Sequence, residues 1–212
     1  MCGISLISSS NLNLQKSIDL LLKEIQHRGP DNQESIIHDN VAIGSTRLSI
    51  FDLSSSGNMP MADKSNRYLI SYNGEIYNFL ELKEKFNIQT KSNSDTEVLI
   101  ELYSKIGDEV LKYLNGIFAF IIYDKLEKKL FVARDRLGVK PVFFYKKEDC
   151  FIISSEIKSI LKLIGKNIEF NYENISTYLE TSFYDYGKTT FYKNVYQLKQ
   201  GHYFEYDIIN KN

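Results

Sequence analysis

Four runs dense in β-branched and aromatic residues, Gly116 to Tyr123, Leu130 to Ala133, Val142 to Tyr145 and Phe151 to Ser154, follow one another with only Asp-Lys, Arg-Asp and Lys-Glu turn signals between them. Such residues fit the pleated, half-buried surface of a sheet, and short turns between them make hairpins. The spacing predicts a meander of antiparallel strands forming one sheet. Upstream, Ser35 to His38, Val41 to Ser45 and Tyr68 to Tyr72 alternate with turns and predict another sheet, with the polar Ser54 to Asn58 stretch as a surface loop.

Around these sheets the period changes. After an apolar strand from Cys2 to Ser8, Leu14, Ile18, Leu21, Leu22 and Ile25 recur at helical spacing. His27-Arg28-Gly29-Pro30-Asp31 breaks that helix into a loop. Phe79 to Phe86, Thr96 to Lys105, Glu156 to Ile164 and Tyr172 to Leu179 read as further helices, Ser94-Asp95 stands where an N-cap belongs, and His202 to Tyr206 returns as a strand. Strands and helices segregated in this order predict an α+β fold of stacked antiparallel sheets flanked by helices, and argue against a doubly wound parallel sheet. At 212 residues the chain suits one large domain.

Composition closes off several functions. A formal net charge of -1 offers nucleic acid no general attraction, and no local basic patch is evident. No run approaches ~20 apolar residues, and the opening MCGISLISSS has no basic leader, so neither a membrane span nor a cleaved signal is expected. Cys2 and Cys150 do not make a disulfide framework, and a reducing cytoplasm is the expected setting. His27, His38 and His202 lack metal-ligand spacing with either cysteine, and no glycine-rich phosphate loop is present. Neither a metal site nor ATP binding by such a loop is expected.

Cys2 is notable for its position. If Met1 is removed, one residue carries both a thiol and a free α-amine, whose ordinary pKa values of about 8.5 and about 7.7–8.0 let the amine take the thiol proton. Position alone better suits a buried, inert cysteine at the start of a core strand. In Tyr72-Asn73-Gly74-Glu75-Ile76-Tyr77-Asn78 a strand is expected to end in a tight turn. That turn could aim the Asn73 amide and the Gly74 N–H at an oxyanion, or simply close a hairpin. Arg47 and Asp95 suit the carboxylate and ammonium of an amino acid, but also a surface salt bridge and an N-cap respectively.

Taken in order, Met1-Cys2-Gly3-Ile4, His27 to Asp31, Arg47-Leu48-Ser49-Ile50, Asn73 to Asn78, Ser94-Asp95-Thr96-Glu97 and Arg134-Asp135-Arg136-Leu137-Gly138-Val139-Lys140-Pro141 resemble class II glutamine amidotransferase domains. The likeness is strongest to the N-terminal domain of glutamine-dependent asparagine synthetases, and it covers essentially the whole chain. It implies an N-terminal-nucleophile hydrolase fold, a four-layer αββα sandwich of two antiparallel sheets, over residues 1–212. It further implies that Cys2 attacks the carboxamide of L-glutamine, Asn73 and Gly74 form the oxyanion hole, and Arg47 holds the α-carboxylate. Asp95 with Glu75 would receive the α-amine, and the Ile50 backbone would add a contact. Arg28 is expected to order the site or the ammonia exit. The Arg134 to Pro141 block is expected to act in a hairpin and in packing.

The same resemblance implies a second, ATP-dependent synthetase domain that this sequence lacks; Gln200 also stands where the family usually has Pro. ATP and magnesium would belong to that absent domain, and this chain would need no cofactor. Its partners would be L-glutamine and a separate synthetase subunit or further copies of itself. Two alternatives stay open: a glutaminase serving another acceptor, such as a sugar or surface-polymer precursor, and a non-catalytic glutamine-binding remnant.

Overall fold

The computed structural model describes residues 1–50, 52–183 and 187–211. In chain order the first half contains β1 (Gly3–Ser8), α1 (Leu14–Glu24), β2 (Asn32–His38), β3 (Val41–Arg47), β4 (Met61–Ala62), β5 (Tyr68–Ile76), α2 (Phe79–Lys85) and α3 (Asp95–Ile106). The second half contains β6 (Gly116–Asp124), β7 (Lys129–Arg134), β8 (Phe143–Lys147), β9 (Cys150–Ser154), α4 (Ile157–Ile164), α5 (Tyr172–Thr181), β10 (Val195–Gln197) and β11 (Tyr203–Asp207).

The strands form two antiparallel sheets, one ordered β10-β8-β9-β1-β3-β2 and the other β11-β7-β6-β5-β4. β1 is central and every one of its residues is buried. Its period of two explains why: Ile4 and Leu6 enter the layer between the sheets, while Ile7 faces α1. Across that layer they meet Leu69, Ala119, Ile121 and Val132 of the second sheet. The Asn13 side chain caps α1 by accepting from the Lys16 N–H at 3.0 Å, and Ile18, Leu21 and Leu22 bury its inner stripe. On the far side, Val98, Leu99 and Leu102 of α3 cover Tyr72, Phe120 and Phe131. The result is the expected αββα layering.

Four local expectations are corrected. The four runs from Gly116 to Ser154 are not one meander: β6 and β7 form a hairpin in the second sheet, and β8 and β9 form one in the first. Residues 135–142 cross between the sheets, so the Arg134 to Pro141 block is a crossing loop and not a hairpin. Tyr68 to Tyr72 likewise pairs with β6, and not with β2 and β3 as the upstream grouping suggested. Finally, no turn occurs at Asn73-Gly74. β5 runs through them, with Asn73 opposite Ala119 and Gly74 opposite Phe118. Glycine is required there by close approach: a Cβ would collide with the Ile117 carbonyl oxygen and stand 2.8 Å from Phe118 Cα.

Candidate active site

Cys2 stands just ahead of β1 and packs against the cluster that contains Tyr72, Val98 and Phe118. The Leu48 N–H points at its sulfur at 3.4 Å, and the thiol reaches the Leu48 carbonyl at 3.7 Å. Burial pushes the thiol pKa up; the Leu48 backbone, the chain's α-amine and Arg47 pull it down. Met1 lines the same cleft, and it is its α-amine whose charge acts on the thiol.

The His27 to Asp31 loop holds this arrangement from behind. Asp31 donates its N–H to the Arg47 carbonyl at 3.0 Å, and its carboxylate accepts from the Ser49 N–H at 2.8 Å. Gly29 lies flat on the Thr46-Arg47 backbone, where a Cβ would collide. The loop is thereby fixed to the segment that presents both Arg47 and Leu48. Arg28 donates through Nε to the Cys2 carbonyl at 3.0 Å and through Nη1 to Glu156 at 2.9 Å. It stands behind the nucleophile and is not part of the cleft wall.

Asn73 is 1% exposed, and its side-chain Nδ2 is buried with no acceptor within reach. An unpaired buried donor costs roughly 1–3 kcal/mol and so calls for an explanation. The backbone of Gly74 follows from register. Phe118, opposite it, exchanges its backbone bonds with Asp135 on the β7 side, so the Gly74–Phe118 pair carries no ladder bonds. The Gly74 N–H therefore points away from β6, like that of Ile76, which donates to Asp95 at 3.0 Å. β4 ends at the level of Leu69 and Ile70, leaving this edge to the cleft.

Arg47 and Asp95 settle their alternatives. Arg47 is no surface salt bridge: it is 6% exposed, and its guanidinium is held by the Ser54 carbonyl at 2.8 Å, Asn58 Oδ1 at 2.7 Å and the Asp52 carbonyl. The Ser54 to Asn58 stretch, expected as a plain surface loop, contains a 3-10 turn whose Gly57 is packed against that guanidinium. Asp95 is not the N-cap; Ser94 is, accepting from the Thr96 N–H at 3.1 Å. Asp95 begins the helix at 4% exposure, accepting from Tyr72 Oη at 2.7 Å and from Ile76. Burial raises its pKa, and these two bonds hold it down.

A cleft of about 130 Å³ brings together Cys2, Arg47, Ile50, Asn73, Gly74, Glu75 and Asp95. The Arg47 guanidinium and the Glu75 and Asp95 carboxylates on its wall match the charges of a free amino acid, whereas Asp52, which also lines it, has its carboxylate engaged by Ser54 and Asn93. The thiol lies in the same cleft as the Asn73 donor. Three residues escaped sequence reasoning: Leu48, whose backbone contacts the sulfur; Tyr72, which anchors Asp95; and Lys140, which also lines the cleft. Lys140 lay within a recognised block, but nothing in that block's spacing shows which side chain turns inward. Among the described residues no cluster of three or more His, Cys, Asp or Glu side chains could hold a metal ion. No described helix is long and apolar enough to cross a membrane.

Comparison with known proteins agrees with this geometry. Residues 1–211 match the family model of the glutamine amidotransferase domain. The chain is 40% identical to a putative asparagine synthetase [glutamine-hydrolyzing] 2 of Methanocaldococcus jannaschii, over 94% of this chain and 42% of that protein. It is 33% identical to asparagine synthetase [glutamine-hydrolyzing] 2 of Bacillus subtilis, over 98% of this chain and 29% of that protein. It thus spans less than half the length of these relatives. The fold also superposes on glutamine phosphoribosylpyrophosphate amidotransferase from B. subtilis, with a TM-score of 0.67 over 77% of this chain and 44% of that one, at 21% identity. The chain belongs to the glutamine amidotransferase domain family, close to the glutamine-hydrolysing domains of asparagine synthetases.

Proposed function

We propose that this domain hydrolyses L-glutamine to L-glutamate and ammonia through a thioester on Cys2, and that the ammonia serves an asparagine-synthetase-like amide-forming reaction. The observation that carries the reading is the buried, unpartnered Asn73 Nδ2 in the cleft that holds the Cys2 thiol. Arg47 takes the α-carboxylate of glutamine, and Asp95 with Glu75 takes its α-ammonium. The side-chain amide then extends toward Cys2. With Met1 removed, the Cys2 α-amine accepts the thiol proton and the sulfur attacks the amide carbon. Negative charge collects on the former carbonyl oxygen, which receives hydrogen bonds from Asn73 Nδ2 and the Gly74 N–H. The α-ammonium returns the proton to the leaving nitrogen, ammonia departs, and water cleaves the thioester to glutamate. None of these steps needs a metal or a nucleotide; ATP and magnesium are assigned to the amide-forming half of the reaction, outside residues 1–212.

Glutamate release from glutamine by the purified chain tests the reading, together with intact mass to establish whether Met1 is absent. Cys2→Ala is expected to abolish release while the Tm is kept. Retained turnover in that variant, or full activity with Met1 uncleaved, would contradict the mechanism.

A further inference from the structure

Among the described residues, the cleft holds one cationic side chain to which the reaction above gives no role. Lys140 is 7% exposed and lines the same walls as Cys2 and Asn73. Its neighbours in the crossing loop turn the other way, Leu137 being 83% and Val139 48% exposed. The loop is clamped by two buried or half-buried charges. The Asp135 carboxylate accepts from the N–H groups of Leu137 at 3.1 Å, Val139 at 3.0 Å and Lys140 at 3.0 Å. The Arg134 guanidinium binds the carbonyls of Lys140 at 2.8 Å and Gly138 at 2.7 Å. A loop fixed at both its donors and its acceptors delivers one side chain inward, and that side chain is Lys140.

Its ammonium has no hydrogen-bond or carboxylate partner among the described residues. The ammonium opens onto the cleft itself, free to answer negative charge that arises there during function. Location distinguishes which charge. The Asp135 oxygen that accepts from the Lys140 N–H also accepts from the N–H of Phe118, the register partner of Gly74. Lys140 therefore enters from the Asn73-Gly74 side, whereas Arg47 stands at the end of β3 in the other sheet.

We propose that Lys140 is a catalytic residue, supplying positive charge to the thiolate and to the oxyanion that form when Cys2 attacks its substrate. This rests on the glutaminase reading for its substrate but not for its effect on the thiol. Lys140→Met and Lys140→Arg, in the full chain, separate the two. In Lys140→Met, kcat for glutamate release is expected to fall by about 10²-fold, the scale of losing one preorganised oxyanion partner. KM should stay within about threefold, as for loss of an interaction made only in the transition state. Lys140→Arg should recover most of kcat. Alkylation of Cys2 by iodoacetamide, followed by peptide mass against pH, should shift to higher pH in Lys140→Met with the Tm preserved. An unchanged alkylation profile overturns the proposal, as does a rise in KM at constant kcat. Should the wild type release no glutamate, the glutaminase reading fails and the alkylation profile alone decides the role of Lys140; should Lys140→Met not fold, Lys140→Gln is read the same way.

Discussion

Arg28 grips Cys2 by its carbonyl oxygen, through Nε at 3.0 Å, while Glu156 steadies the other end of the guanidinium at 2.9 Å. The nucleophile is thus held at its sulfur by Leu48 and at its backbone by Arg28. Lysine gathers its three donors on one compact point charge and lacks the planar fork that spans the Cys2 carbonyl and Glu156. Arg28→Lys is expected to lower kcat by roughly tenfold through misplacement of the thiol, with the glutamine KM little changed. Steady-state kinetics with matched Tm measurements check it; a change confined to KM would assign Arg28 to substrate binding.

Asn73→Ala removes the unpartnered donor. The expected loss in kcat is about 10²–10³-fold, corresponding to roughly 2.7–4 kcal/mol of transition-state stabilisation. Stability should hold or rise, because the missing group had no partner to lose. Urea denaturation alongside kinetics reads both, and a destabilised but active variant would count against the oxyanion role.

Asp95 gives a pH-linked prediction. Burial raises its folded pKa above the unfolded value, so the folded state binds the proton more tightly. Stability from this group is therefore highest at low pH and declines as pH rises from the unfolded value of 3.8 through the raised folded one. Asp95→Asn keeps an acceptor for Tyr72 and Ile76 while deleting the charge. The unliganded variant should gain Tm at pH 7, about 2–4 °C for each kcal/mol recovered, and should lose that advantage below the window. Its glutamine KM should rise more than tenfold, as for loss of a paired charge of about 1.5–3 kcal/mol. Thermal melts across pH and glutamine titrations decide it.

Gly74→Ala tests the strand placement. The new methyl meets the Ile117 carbonyl and the Phe118 backbone, neither of which can rotate away. A loss of about 1–3 kcal/mol in unfolding free energy is expected, together with lower kcat as β5 moves off β6. An alanine tolerated without cost would mean that the two strands do not approach here.

The layers were legible because periodicity reports burial directly: the helical stripe Ile18-Leu21-Leu22 and the alternation in β1 each name their faces. Partner choice was not, since Tyr68 to Tyr72 has the same composition whichever sheet it joins. Asn73-Gly74 misled for a physical reason. The pair suits a tight turn, but the same missing Cβ also suits a strand pressed against another backbone, and only tertiary contact distinguishes them. Arg47 and Asp95 show a related limit, since whether a charge faces solvent or a cleft depends on which loop closes over it. The ordered blocks identified the family; the side chain that the Arg134-Asp135 clamp turns inward could be seen only in three dimensions.

β4 pairs with β5 at two positions only and then leaves it. An exposed sheet edge invites pairing with another chain, and proteins usually blunt it with charge, proline or a bulge. Here the start of α3 lies against that edge, with Asp95 taking one of its N–H groups, and Arg47 and its loop share the cleft beside it. What would be an aggregation hazard in an open sheet becomes a sheltered row of donors. Extending β4 by a few residues would make a tidier sheet and silence the domain.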